Sequence, residues 1–115
     1  MQMSAISGLE PGRLVRGLMG RILDSGGWVL SRDVNDMGRV KLLFEFERQD
    51  CVEIYSALVA AGLELSQRAH LQMTALCQCT RFRPERDGAE IASMDLEIQT
   101  FPLDAREDRP ISYGV

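Results

Sequence analysis

Little in this chain of 115 residues advertises chemistry. There is one histidine, His70, and one tryptophan, and aromatic residues make up 6% of the whole. His70 is therefore the sole candidate for ordinary imidazole acid–base work, and no Ser or Cys has a patterned partner near it. The cysteines, Cys51, Cys77 and Cys79, are an odd set in a chain without a secretory start, which implies no disulfide framework. Zinc would need four ligands, so no metal site is expected. Phosphate-cradling loops, H-E-x-x-H and G-x-S-x-G are all absent, and no cofactor is implied. No apolar run approaches the roughly 20 residues that span a bilayer. Positive charge is also short: 13 Lys and Arg against 17 Asp and Glu give a net charge of −4, which disfavours a nucleic-acid footprint. Met1-Gln2-Met3-Ser4 lacks a basic n-region followed by an apolar stretch, so a cytoplasmic protein is expected.

What is present is patterned for a small globule. At 45% apolar and 26% charged, the length suits one domain of the common size, about 100–150 residues. Such a domain buries roughly two thirds of its unfolded surface without a staple. From Pro11, Leu14, Val15, Leu18, Met19, Ile22 and Leu23 recur at helical spacing. Pro11 suits a first helical turn, and Gly26-Gly27 a helix end, so a helix is expected over 11–25. Gly17 and Gly20 inside it imply close packing of helix on sheet. Trp28–Val34 and Arg39–Arg48 read as strands, joined by the turn chemistry of Asn35-Asp36-Met37-Gly38. In the second strand Val40, Leu42, Phe44 and Phe46 alternate with charged residues, so one face is buried. Asp50 with Glu53 forms a capping-box pattern ahead of a second helix that ends at Gly62.

From Ala69 the alternation returns. Ala69, Leu71, Met73, Ala75, Cys77 and Cys79 share one face, and His70 falls on the other. Ala, Leu and Met also suit a helix, but the length of the alternation predicts a strand over 69–80. Arg81–Gly88 reads as a loop, and Glu90–Thr100 as a last strand with Ala92, Met94, Leu96 and Ile98 facing inward. The order is then αββαββ. It predicts an α+β two-layer sandwich of ferredoxin-like type, direct or permuted: a four-stranded antiparallel sheet with two helices on one face. The domain would occupy residues 1–101, with 102–115 as an extended or mobile tail.

Glu10-Pro11-Gly12-Arg13-Leu14 resembles the Pro-Gly-x-Leu opening of the first helix in ACT domains. The similarity runs through Ile22–Gly27 into the hairpin and on to the Asp50–Leu63 helix, covering residues 8–66. ACT domains are βαββαβ modules, usually paired, that bind amino acids or other small effectors and regulate an attached or partner enzyme. The resemblance implies a ligand site at the turn Gly8–Leu14, with Glu10, Gly12, Arg13, Leu14 and Arg16 as its residues. It also implies a first strand before that turn, where only Met1–Ser7 is available. In a permuted topology Glu90–Thr100 would fill that place. Helix N-termini do suit anions, and Gly12 would admit a ligand that Arg13 or Arg16 could pair with. Equally, Glu10 could satisfy the helix end itself.

Glu45, Glu47, Asp95 and Glu97 are expected on the outer sheet face, where a solvated surface or a carboxylate site would both account for them. Leu43, Leu76 and Ile91 would form an apolar patch among them, and open sheet edges favour pairing. A symmetric homodimer is expected. The first reading of function is thus a non-catalytic, ACT-like regulatory module that binds a small effector, such as an amino acid. The second is an interaction or dimerisation module without a ligand. The third is a small enzyme using the polar sheet face.

Overall fold

The computed structural model describes residues 1–82 and 89–101, with side chains through residue 78 in the first stretch. A six-residue strand, β1 (Gln2–Ser7), precedes helix α1 (Pro11–Asp24). The hairpin β2 (Trp28–Val34) and β3 (Arg39–Glu47) follows, then a single 3-10 turn over Arg48–Asp50 and helix α2 (Cys51–Ala60). A two-residue strand, β4 (Glu64–Leu65), leads to helix α3 (Gln67–Phe82), and β5 (Ile91–Thr100) comes last. The strand order is β2-β3-β5-β1-β4. β5 runs antiparallel to β3 and parallel to β1.

This corrects the expected αββαββ sandwich in three respects: the sheet is mixed and has five strands, there are three helices, and residues 69–80 lie in one of them. The helix has an identifiable cause. Ser66 stands before it, its Oγ accepting from Ala69 N–H at 3.1 Å and its carbonyl from His70 N–H at 3.0 Å, which is N-cap geometry. Ala69 and Met73 are buried, and Leu76 and Cys77 pack against the core. That is an i, i+4, i+7, i+8 stripe. Leu71, which a strand would have put on the same face, is 64% exposed. Of the expected loop over Arg81–Gly88, Arg81 and Phe82 end α3 and 83–88 lie outside the described residues, as does the expected tail 102–115.

The last strand forms where expected, with Met94, Leu96 and Ile98 buried, but its place in the sheet departs from expectation. Met1–Ser7 is long enough for β1, with Met3, Ala5 and Ser7 buried and Gln2, Ser4 and Ile6 exposed. There is no vacant place for residues 91–100 to fill by permutation. β5 lies between β1 and β3, the strands that adjoin in a ferredoxin-like sheet. It pairs along its length, Ala5 with Ile98 on one side and Leu42 with Leu96 on the other.

Helix α1 and the β2–β3 hairpin follow their local chemistry. α1 closes where Gly26 takes φ +95°, its N–H bonding Leu23 O at 3.2 Å and the Gly27 N–H bonding Ile22 O at 2.8 Å. This double closure favours glycine. At Gly27 a Cβ would also meet Ile22 Cγ2 at 2.8 Å and the Glu45 carbonyl at 3.1 Å. In the β2–β3 turn Asn35 Oδ1 accepts from Met37 and Arg39 N–H, both at 2.9 Å. Gly17 and Gly20 do not serve close packing, because each is exposed with open space where a Cβ would stand. Asp50 makes no capping bond, and the chain reaches α2 through the 3-10 turn instead.

One core joins the helices to a single sheet face: Leu14, Leu18, Ile22, Ile54, Leu58 and Met73 pack on Val40, Leu42, Phe44, Phe46, Met94, Leu96 and Ile98. All three helices therefore cover that face, and Lys41, Leu43, Glu45, Ser93, Asp95 and Glu97 project from the other. Leu76 belongs to α3, so the expected outer patch loses a member. Among the described residues no helix is long and apolar enough to cross a membrane.

Phe44 is fully buried and stacks on Phe46 with centroids 6.1 Å apart. Phe44→Ala should destabilise the fold by about 3–5 kcal/mol through lost burial and a residual cavity. Urea unfolding measures this, and a midpoint equal to wild type would contradict the placement.

Candidate functional site

The turn between β1 and α1 is pinned from three sides. Ser7 is buried, and its Oγ donates to Gly62 O at 3.1 Å and accepts from Leu9 N–H at 3.2 Å. Its carbonyl accepts from Phe101 N–H at 2.8 Å, just beyond the end of β5. The turn is thus tied to the end of α2 and to β5. Leu9 packs against the core, and a Cβ at Gly62 would sit 3.1 Å from Leu9 Cδ1.

Glu10 then opens the helix in extended conformation (φ −66°, ψ 139°). Its carboxylate accepts from Gly12 N–H at 2.9 Å and Arg13 N–H at 3.0 Å. Pro11 has no N–H, and Leu14 N–H bonds the Glu10 carbonyl at 2.9 Å. The Gly12, Arg13 and Leu14 N–H groups are thus all taken by Glu10 itself, which leaves none of these three for an external anion. Those backbone bonds, with Arg16 and Arg13 adding attraction, hold the Glu10 carboxyl below its ordinary pKa. A Cβ at Gly12 would come within 3.2 Å of Glu10 Oε1 and 3.6 Å of Arg16 Nη1. Its space therefore serves the internal cap. Leu14 is fully buried in the core, while Arg13 and Arg16 are exposed. Of the five residues that the resemblance singles out, the structure groups Glu10, Gly12, Arg13 and Arg16 around the cap and turns Leu14 inward.

Beside this turn lies an open cleft of about 370 Å³, lined by Ile6, Ser7, Gly8, Gly62, Glu64 and Phe101. On the open sheet face Glu45 accepts from Trp28 Nε1 at 3.1 Å, and Glu97 pairs with Arg39 at 3.5 Å. Asp95 stands opposite Leu43. No three metal-ligating side chains converge among the described residues. His70, placed on α3 and not on a strand, has its Nδ1 within hydrogen-bond distance of Tyr55 Oη on α2.

The sheet edges are unequal. β4 is two residues long, whereas β2 offers seven. β2 carries a bulge at Leu30, between the stretch paired at Trp28–Val29 and the stretch Ser31–Val34. Asn35 N–H bonds Arg39 O across the hairpin. Antiparallel pairs alternate, so Ser31 and Asp33 turn their backbone groups to β3 while Arg32 and Val34 present theirs outward. Leu30 is 52% exposed and Val34 44%, so the edge has apolar side chains as well as free backbone groups.

In comparisons with protein-family models, with curated proteins and with solved structures, nothing matches this chain. The likeness to ACT domains thus has only its own residues behind it.

Glu10's lowered pKa fixes a pH dependence. The stability that the cap contributes is complete above the ordinary carboxylate pKa and is lost as pH falls through the lower folded value. Glu10→Ala should lower the urea midpoint at neutral pH, and the difference from wild type should shrink towards zero near pH ~2. A constant difference across that range would show that the carboxylate does not act as the cap.

Proposed function

We propose that the chain is a non-catalytic, cytoplasmic association module that forms a symmetric homodimer by pairing its β2 edges. The observation that carries this reading is the outward row of backbone groups at Arg32 and Val34, flanked by exposed Leu30 and Val34. Unpaired edges of this length invite a partner strand, and a two-fold contact closes the sheet without building a filament. Pairing through the open sheet face is disfavoured by charge. Glu45, Glu47, Asp95 and Glu97 outnumber Lys41 and Arg39 there, so two such faces repel.

Light scattering over a micromolar concentration series should give about twice 12.9 kDa. Arg32→Pro removes an outward edge donor while leaving the β2–β3 ladder intact. It should give a monomer with an unchanged circular dichroism spectrum. A wild-type monomer at every concentration, or a dimer that survives Arg32→Pro, would overturn the reading.

A second reading, a small-effector site that regulates a partner enzyme, draws on the cleft lined by Ser7, Gly8, Gly62 and Glu64. It adjoins the same turn that the ACT resemblance marks, and Glu64 offers a carboxylate to an amino-acid ammonium group. In a thermal-shift panel of amino acids, a bound effector raises the midpoint progressively with concentration. Glu64→Gln should reduce that rise. A panel with no concentration-dependent shift would contradict this second reading and leave the first standing.

A further inference from the structure

Cys51, the first residue of α2, is 2% exposed, and its Sγ reaches to 4.0 Å from the Met73 carbonyl on α3. Met73 lies one helical turn before Cys77. A helical Cα–Cβ bond tilts toward the helix N-terminus, so the Cys77 side chain overlies that same turn. Cys77 thus stands on the turn that the Cys51 Sγ reaches, and it packs against the same core in which Cys51 is buried. They differ in access: Cys51 is buried, whereas Cys77 is partly exposed at the edge of the core. The guanidinium of Arg48, in the 3-10 turn that leads into α2, lies close enough to act on Cys51 electrostatically. Its Nη1 bonds Glu90 Oε2 at 3.2 Å, while its buried Nε has no hydrogen-bond partner.

We propose that Cys51 and Cys77 are a redox pair, converted by a hydroperoxide into an intrachain disulfide that clamps α2 to α3. The sulfur of the partly exposed Cys77 attacks the outer peroxide oxygen, the O–O bond breaks, and the leaving oxygen takes the proton that the thiol gives up. This leaves a sulfenic acid on Cys77 and releases the other oxygen as alcohol or water. The Cys51 sulfur then attacks the Cys77 sulfur and expels hydroxide, which takes the Cys51 proton and departs as water. Two thiols have lost one electron each, and the peroxide has taken both.

The division of labour follows from burial. Withdrawal from water holds the Cys51 thiol protonated, well above its ordinary pKa, so the oxidant meets Cys77 first. The positive charge of Arg48 opposes that effect and favours charge on Cys51 sulfur during the second step. A dithiol reductant reverses the bridge.

The full chain is treated with stoichiometric hydrogen peroxide, its remaining thiols are alkylated, and it is digested without reduction for mass spectrometry. No Lys or Arg separates Cys77 from Cys79, so trypsin leaves both on one peptide and Cys79→Ser is needed to assign the bridge. The expected result is a Cys51 peptide joined within one chain to the 69–81 peptide. It should persist in Cys79→Ser, vanish in Cys77→Ser and re-open with dithiothreitol. In Cys51→Ser a dimedone-reactive sulfenic acid should accumulate on Cys77. If that variant does not fold, comparing wild type in buffer and in urea decides the matter, because adjacency imposed by the fold makes the bridge form faster in buffer. A Cys77–Cys79 bridge, a bridge between chains, or equal rates with and without urea would overturn the proposal.

Discussion

Between β3 and β1 lies a gap one strand wide, and residues 91–100 fill it. Met94, Leu96 and Ile98 point from β5 into the core and are fully buried. Their strand alone joins the Phe44–Phe46 half of the sheet to the β1–β4 half by backbone pairing. The closure is costly in entropy, since Met1 and Ser93, 92 positions apart, are brought together at its open end. A loop of that size costs about 4 kcal/mol to close. Three fully buried aliphatic side chains return on the order of 5–9 kcal/mol. Burial wins, but only once the whole chain is available, so the sheet is completed by its most distant pairing.

That arrangement explains what was legible in the sequence and what was not. α1 and the hairpin rest on local signals, namely Pro11, Gly26-Gly27, the Asn35–Gly38 turn and the alternation from Val40 to Phe46, and each could be read directly. β1 is only six residues long and pairs along its length with β5, a partner that no local pattern names. Residues 69–80 were ambiguous, because Ala69, Met73 and Cys77 satisfy a period of two and a period of 3.6 alike. The deciding signal was Ser66, whose capping position lies outside the alternating run. Only a helix sets Cys77 one turn beyond Met73, whose carbonyl the Cys51 Sγ approaches, so a strand pattern cannot reveal the thiol pair. Gly17 and Gly20 gave no such clue, and nothing in the described fold uses the space above them.

The candidate site at Glu10 was half legible. Its residue types suit either an anion-binding helix end or a helix end already capped, and composition cannot separate the two. Geometry separates them, with Pro11 lacking a donor and the Glu10 carboxylate taking the next two. The molecule is also polarised: its helices cover one sheet face, its acids line the other, and its long edge lies at β2. An association reading uses that edge and asks no chemistry of the face. The thiol pair, on the helical layer, is separate from both.

Amide hydrogen exchange resolved by residue, combined with backbone contacts measured by NMR, tests the central position of β5 most directly. β5 amides should be among the slowest to exchange, with cross-strand contacts from Ala5 to Ile98 and from Leu42 to Leu96 in one sample. Rapid, edge-like exchange over residues 91–100, together with direct contacts between β1 and β3, would contradict the account.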